Sequence, residues 1–252
     1  MSHYKFSIIT VVKNDEKNII KTIKSVLKQK EVVDLEYIII DGNSYDNTLK
    51  SIKNFKNEID IILSESDDGI YDAMNKGMNM AKGDIVAFCN SGDILYDNGL
   101  LFVEKTFVKE KCDFVFGTVL RNYLGESILK HGLNEKRIYY NFDFATTHSC
   151  GFYLKKRVIE YIGNYNLAYK CSADYDLYYR LIKSKKFLGG FTKKNEIVGE
   201  VASGGFSSKL SFFEHLFEET KIRYNNNQNI FFICILFINA SLKHLIKKFK
   251  KF

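Results

Sequence analysis

The 252-residue chain is 46% hydrophobic and 27% charged, has neither proline nor tryptophan, and carries 16 Tyr and 21 Phe. Such a composition excludes a disordered chain and supplies a full core for one large domain, or for one domain with an appendage. The net charge of +7 is not spread over the chain: no acid follows Glu219, and Lys221, Arg223, Lys243, Lys247, Lys248, Lys250 and Lys251 account for all of it, which argues against a general nucleic-acid surface on the folded domain.

The first half alternates between two periods. Residues 6–12 form an apolar, β-branched run, a strand, and 16–29 carry Ile19, Ile20, Ile23, Val26 and Leu27 at helical spacing. A second strand is predicted over 35–40, ending at Asp41-Gly42. A helix follows over 47–55, a strand over 59–63, a helix over 70–81 closed by Gly83, and a strand over 85–89. A helix over 99–109 and a strand over 114–120 complete the alternation. Near-continuous apolar strands separated by helices predict a mostly parallel sheet with helices on both faces. Beyond residue 120 the pattern loosens. Short strands are expected at 126–130, 151–154 and 197–201, helices at 157–162 and 174–183, and an irregular aromatic stretch at 131–147. Ser203-Gly204-Gly205 opens a loop, and two helices are expected over 210–224 and 230–249. The division that follows is a domain over 1–208 and a helical appendage over 209–252. The start, MSHYKFSIITVV, reads as a first strand and not a signal peptide. Five cysteines without a CxxC pair predict buried free thiols in a reducing compartment. Both readings place the protein in the cytoplasm.

Ligands of parallel sheets bind outside the carboxyl ends of the strands, and acids fall there repeatedly. Asp41 ends the second strand, where a carboxylate can accept a hydrogen bond from a nucleobase N–H or a ribose hydroxyl. Asp46 or Asn47 then caps the next helix. An acidic turn, Glu65, Asp67, Asp68 and Gly69, follows the third strand, and Asp72 and Lys76 stand at pairing distance on the helix after it. The strand over 85–89 delivers Asn90-Ser91-Gly92-Asp93, a small-residue turn and a carboxylate suited to a divalent metal and a diphosphate.

The ordered series SIITVVKNDEKNI, YIIIDGNSYDNT, SESDDGIYDAMNKG, AKGDIVAFCNSGD, THSCGFYLKKRVI and CSADYDLYYRLIK resembles the family 2 glycosyltransferases over about residues 6–205, and most of all the small bacterial enzymes that build surface polysaccharides. The resemblance implies an α/β, Rossmann-like GT-A fold and an inverting, metal-dependent transfer from a nucleotide-diphosphate sugar to a hydroxyl of a glycan, expected to be lipid-linked. It implies a donor site at Thr10, Val12, Asp41, Asp67, Asn75, Ser91 and Gly92, with Asp41 on a uracil-type base. It places Mn²⁺ or Mg²⁺ on Asp93, the general base at Asp174 with Asp176 beside it, and His148 on the acceptor side. The chain departs from the pattern where Ser91 takes the first metal-binding acid's place and Gly92 replaces another, leaving Asp93 with most of the metal's protein contacts. That departure leaves room for a scaffold or glycan-binding protein that has kept the fold. A sugar nucleotidyltransferase would want a glycine-rich loop after the first strand, and Val12-Lys13-Asn14-Asp15-Glu16 has no glycine.

In the tail, residues 230–238 are nine unbroken apolar residues, far short of the ~20 a bilayer span needs. An apolar helix followed by lysines fits the interface of an anionic membrane, here its inner face; the same helix could instead pack on the domain, with lysines in its last turn.

Overall fold

Seven of the eight residues of the first strand, β1 (Lys5–Val12), are buried, because this strand lies near the middle of a sheet covered on both sides. The computed structural model describes residues 3–123, 126–132, 149–204 and 211–249. In chain order β1 is followed by α1 (Ile19–Lys28), β2 (Asp34–Asp41), α2 (Thr48–Lys53), β3 (Ile61–Ser64), α3 (Ile70–Met80), β4 (Ile85–Phe88), β5 (Ile94–Leu95) and α4 (Gly99–Glu110). Then come β6 (Phe114–Phe116), β7 (Thr118–Tyr123), β8 (Glu126–Lys130), β9 (Phe152–Lys155), α5 (Lys156–Ile162), α6 (Ala173–Ser184), β10 (Gly189–Phe191), β11 (Ile197–Val201), α7 (Phe212–Asn225) and α8 (Ile230–Phe249).

The large sheet has the order β10-β6-β9-β4-β1-β2-β3. Only β9 runs against its neighbours, β4 and β6. Alternate residues of the central strands feed two cores. Ile9, Val11, Ile38, Ile40, Val86 and Phe88 pack with Met74 and Met78 of α3 and Leu177, Tyr178 and Leu181 of α6. Phe6, Ile8, Tyr37, Ile39, Ile85 and Ala87 pack with Ile19, Ile23 and Val26 of α1 and Leu100, Val103 and Phe107 of α4. Register levels the strand ends that matter: Val12 lies opposite Asp41, and Asp41 opposite Ser64.

The single strand expected over 114–120 is two. The chain leaves the large sheet after Phe116 and enters a second sheet, of order β5-β11-β7-β8, at Thr118. Gly117 is the crossing point; a Cβ there would stand 2.7 Å from Val198 Cγ2, so only glycine lets the strands approach. The short strands β5 and β10 carry too few residues for a periodic signal. Ser211 caps α7 reciprocally with Glu214. Leu216, Ile222 and Arg223 of α7 are buried.

Candidate active site

The loops leaving β1 and β2 are laced into one rim at the carboxyl edge of the large sheet. Asn14 N–H donates to Ser44 Oγ (2.8 Å), Tyr45 N–H to Asn14 Oδ1 (3.0 Å), Asp15 N–H to Thr48 Oγ1 (2.8 Å) and Asn47 N–H to Glu16 Oε2 (3.1 Å). Asn14 and Asn43 turn these loops at φ 52° and 57°, a left-handed conformation asparagine tolerates better than most residues. Asp46 Oδ1 accepts the Thr48 N–H at the start of α2 (2.9 Å), while Asn47, the residue directly before the helix, makes no side-chain cap among the described residues.

Asp41 is fully buried at the end of β2. Its carboxylate accepts the Ser44 N–H (3.1 Å) and hydroxyl, and the Ser64 hydroxyl (2.7 Å). Asp67 reaches over from the turn after β3: its Oδ2 lies 2.1 Å from where a Cβ on Gly42 would stand, and Lys13 Nζ is 3.8 Å from its Oδ1. Lys76 holds that turn on α3, contacting Glu65 (2.9 Å), Asp72 (3.2 Å) and Ser66 O (2.7 Å). Hydrogen bonding to Glu65 keeps its ammonium above the ordinary value, so the clasp stays charged.

Beyond β4, Ser91 N–H donates to Val11 O (3.2 Å) and Ser91 Oγ to Asp15 Oδ2 (2.7 Å). The serine in the missing acid's place thus leans on a carboxylate from the β1 loop. Gly92 turns at φ 99°. Asp93 is buried, and its Oδ1 accepts the Ala202 N–H (2.9 Å) just past β11. Cys89 and Cys150 lie close by. Burial first, then the Asp93 charge, hold both thiols well above their ordinary value. Asn90 Oδ1 is buried without a hydrogen-bond partner among the described residues. Asp93 N–H donates to Asn90 O (2.9 Å), so the two residues share one turn, and an unpaired oxygen acceptor in that turn suits a hard cation, which binds oxygen ligands; nothing in the residue type of Asn90 signals this. No cluster of three His, Cys, Asp or Glu side chains able to hold a metal occurs among the described residues, so phosphate oxygens and water would have to complete the shell.

Asp174, partly exposed, begins α6. Its Oδ1 accepts from Tyr71 Oη (3.2 Å), in the first turn of α3, and from the Tyr175 N–H (2.8 Å). Burial, then the Asp174 charge, push the Tyr71 phenol well above its usual value, so it stays a donor. Because α3 starts just after β3, Asp174 stands on the same edge of the sheet as Asp41 and Asp93.

Several expected site residues have other partners. Thr10 is fully buried and gives its hydroxyl to Cys89 O (2.7 Å), beside Tyr37 Oη; Val12 faces the same α1/α4 core. Both belong to the floor, since even-numbered residues of β1 point into that core. The Asn75 amide is spent at both ends on the Tyr165 backbone (2.9 Å each way). Asp176, two residues from Asp174 and therefore on another helix face, pairs with Arg180 (2.8 Å) and accepts from Asn226 Nδ2 (3.3 Å). His148 and Gly205 lie outside the described residues.

The family model described as glycosyl transferase family 2 matches residues 7–173. A PGL/p-HBAD biosynthesis glycosyltransferase of Mycobacterium bovis is 31% identical over 153 residues, covering 57% of this chain and 56% of the relative. The UDP-Glc:alpha-D-GlcNAc-diphosphoundecaprenol beta-1,3-glucosyltransferase of Escherichia coli is 31% identical over 144 residues, 56% and 55% of the two chains. The chain thus spans a little over half the length of the curated relatives it matches. Among solved structures, S. aureus TarS 1–349 superposes with a TM-score of 0.68 at 17% identity, covering 95% of this chain and 72% of that one. The mannosyltransferase PcManGT from Pyrobaculum calidifontis, in complex with GDP-Man and Mn²⁺, gives 0.66 at 12%, covering 94% and 69%. These similarities show the GT-A fold.

Proposed function

The chain belongs to glycosyl transferase family 2, and from that premise we propose that it transfers a sugar with inversion from a nucleotide-diphosphate donor to a hydroxyl of a lipid-linked glycan in surface polysaccharide or glycolipid synthesis. The observation that carries the reading is where three acids fall in the chain: Asp41 ends β2, Asp93 follows β4 and directly precedes β5, and Asp174 of α6 is tied to α3 through Tyr71. The relatives' names add support: one acts on a diphosphoundecaprenol-linked sugar, and solved neighbours hold UDP-GlcNAc or GDP-Man.

In this reading the rim formed by Asp41, Gly42 and Asp67 receives the nucleoside. Asp93 and Asn90 present oxygen ligands to Mn²⁺ or Mg²⁺, which when bound supplies positive charge against the leaving diphosphate. Asp174 takes the proton from the acceptor hydroxyl as that oxygen attacks the anomeric carbon, and the C–O bond to the diphosphate breaks on the opposite face. Tyr71 and the Tyr175 N–H orient the carboxylate on one oxygen and leave the other for the incoming alcohol.

Membrane attachment rests on α8. Phe231, Ile235, Ile238, Leu242, Leu245 and Ile246 are exposed at a spacing that puts them on one stripe, and the lysines from 243 onward follow. No helix among the described residues is long and apolar enough to cross a membrane, so the attachment proposed is peripheral. The test is nucleoside-diphosphate release across a panel of UDP- and GDP-sugars, with Mn²⁺ or Mg²⁺ and an undecaprenyl-diphosphate-linked acceptor. Asp174→Asn and Asp93→Ala should each lower turnover at least a hundredfold; unchanged turnover in Asp93→Ala would point to a scaffold.

A further inference from the structure

Asp174 stands where it does because of a carboxylate from α7. Glu218 Oε1 accepts the Lys170 N–H (2.6 Å), and Oε2 accepts the Cys171 N–H (2.9 Å), the Ser172 N–H (3.0 Å) and the Cys171 thiol (3.0 Å). Ser172, the residue before α6, makes no side-chain cap of its own, so the turn that launches this helix is organised by a side chain 46 residues on. The rest of α7 grips the same segment: Asn225 Nδ2 donates to Tyr169 Oη (2.8 Å), and Asn226 Nδ2 to Asp176 Oδ1 (3.3 Å). Tyr71 closes the arrangement from the other side, its hydroxyl shared between Cys171 O (3.1 Å) and Asp174 Oδ1 (3.2 Å). A shift of the 170–172 turn therefore moves Asp174 and its phenol donor together.

We propose that Glu218 is a positioning residue for the transfer step, fixing the height and direction of Asp174 by clamping the three backbone N–H groups ahead of it. The proposal rests on the reading of Asp174 as the base. Burial alone would raise the Glu218 carboxyl; the hydrogen bonds from the Cys171 thiol and the 170–172 backbone outweigh it and hold the group below its ordinary value, so the clamp is an ionised acceptor throughout the neutral range. A glutamine has the same shape but turns an NH₂ toward N–H donors, opening the clamp without leaving a hole.

The experiment compares the full chain with Glu218→Gln, Glu218→Asp and Asp174→Asn. It uses the fastest donor of the UDP- and GDP-sugar panel for turnover, and calorimetric titration with the matching nucleoside diphosphate and Mn²⁺ for binding, both normalised to folded protein. The expected result is a fall of tenfold or more in kcat for Glu218→Gln with nucleotide affinity within twofold of the parent, partial recovery in Glu218→Asp, and loss of turnover in Asp174→Asn. Normal kcat in Glu218→Gln beside an inactive Asp174→Asn would overturn the positioning role alone. Parallel losses of kcat and nucleotide binding would also overturn it, as the mark of a merely structural residue. Retained turnover in Asp174→Asn would overturn the base assignment and the proposal with it.

Discussion

Asn90 and Asp41 are both polar groups at strand ends, and their hydrogen bonding separates them. Asp41 is satisfied from within by Ser44 and Ser64, so it braces the turn whatever else it meets. Asp41→Asn would turn an NH₂ toward those donors and should cost about 1–3 kcal/mol of stability, read by denaturant unfolding. Asn90 Oδ1, by contrast, is buried and unmatched among the described residues. Asn90→Asp places a second carboxylate beside Asp93, and Mn²⁺ affinity measured by titration with UDP present should tighten roughly tenfold, about 1.4 kcal/mol. An unchanged affinity would remove Asn90 from the metal's surroundings. Its place at a strand end marked Asp93, and the family resemblance marked Asp174, but the standing of Asp15 and Tyr71 depends on partners 76 and 103 residues away, which no local spacing encodes.

At the level of elements, the α6–α7 interface carries a titration. Glu219 sits on α7, and burial first, reinforced by the Asp174 and Glu218 carboxylates and partly offset by Arg223, pushes it up to about 8. An acid whose pKa is higher in the folded chain than its ordinary 4.5 stabilises the fold below that ordinary value and loses the contribution as pH climbs through the folded one. Stability should therefore decline between about pH 4.5 and 8. Glu219→Gln should flatten the decline by at least ~1 kcal/mol, about 2–4 °C in Tm by calorimetry. A variant with the parent's slope would exclude Glu219 as the source. The early strands and helices were legible because each has enough residues to show its period; α1 and α3 differ from expectation only at their ends. The division of the 114–120 run between two sheets was not legible, since it turns on Gly117 meeting Val198, a contact between distant segments.

For the whole molecule, charge and apolar surface converge on one helical hairpin. Phe217 and Tyr224 of α7 are exposed, as is the α8 stripe, and the sequence adds the lysines beyond residue 242 to the same segment of the chain. With each lysine near an anionic surface contributing about 1 kcal/mol, replacing Lys243, Lys247 and Lys248 by Gln should weaken sedimentation with phosphatidylglycerol vesicles by about 3 kcal/mol, more than a hundredfold. Equal binding to neutral and anionic vesicles in both proteins would rule out the electrostatic part. Composition revealed this charge asymmetry; the sequence pattern did not reveal that α7 turns one side to the solvent stripe and the other to the turn before Asp174. A last consequence concerns the hydrogen bond from Ala202 to Asp93. Two residues farther on, Gly204 bends the chain at φ 85°. The tether joins the chain leaving β11 to the acid, so the course of that chain and the aim of Asp93 constrain each other.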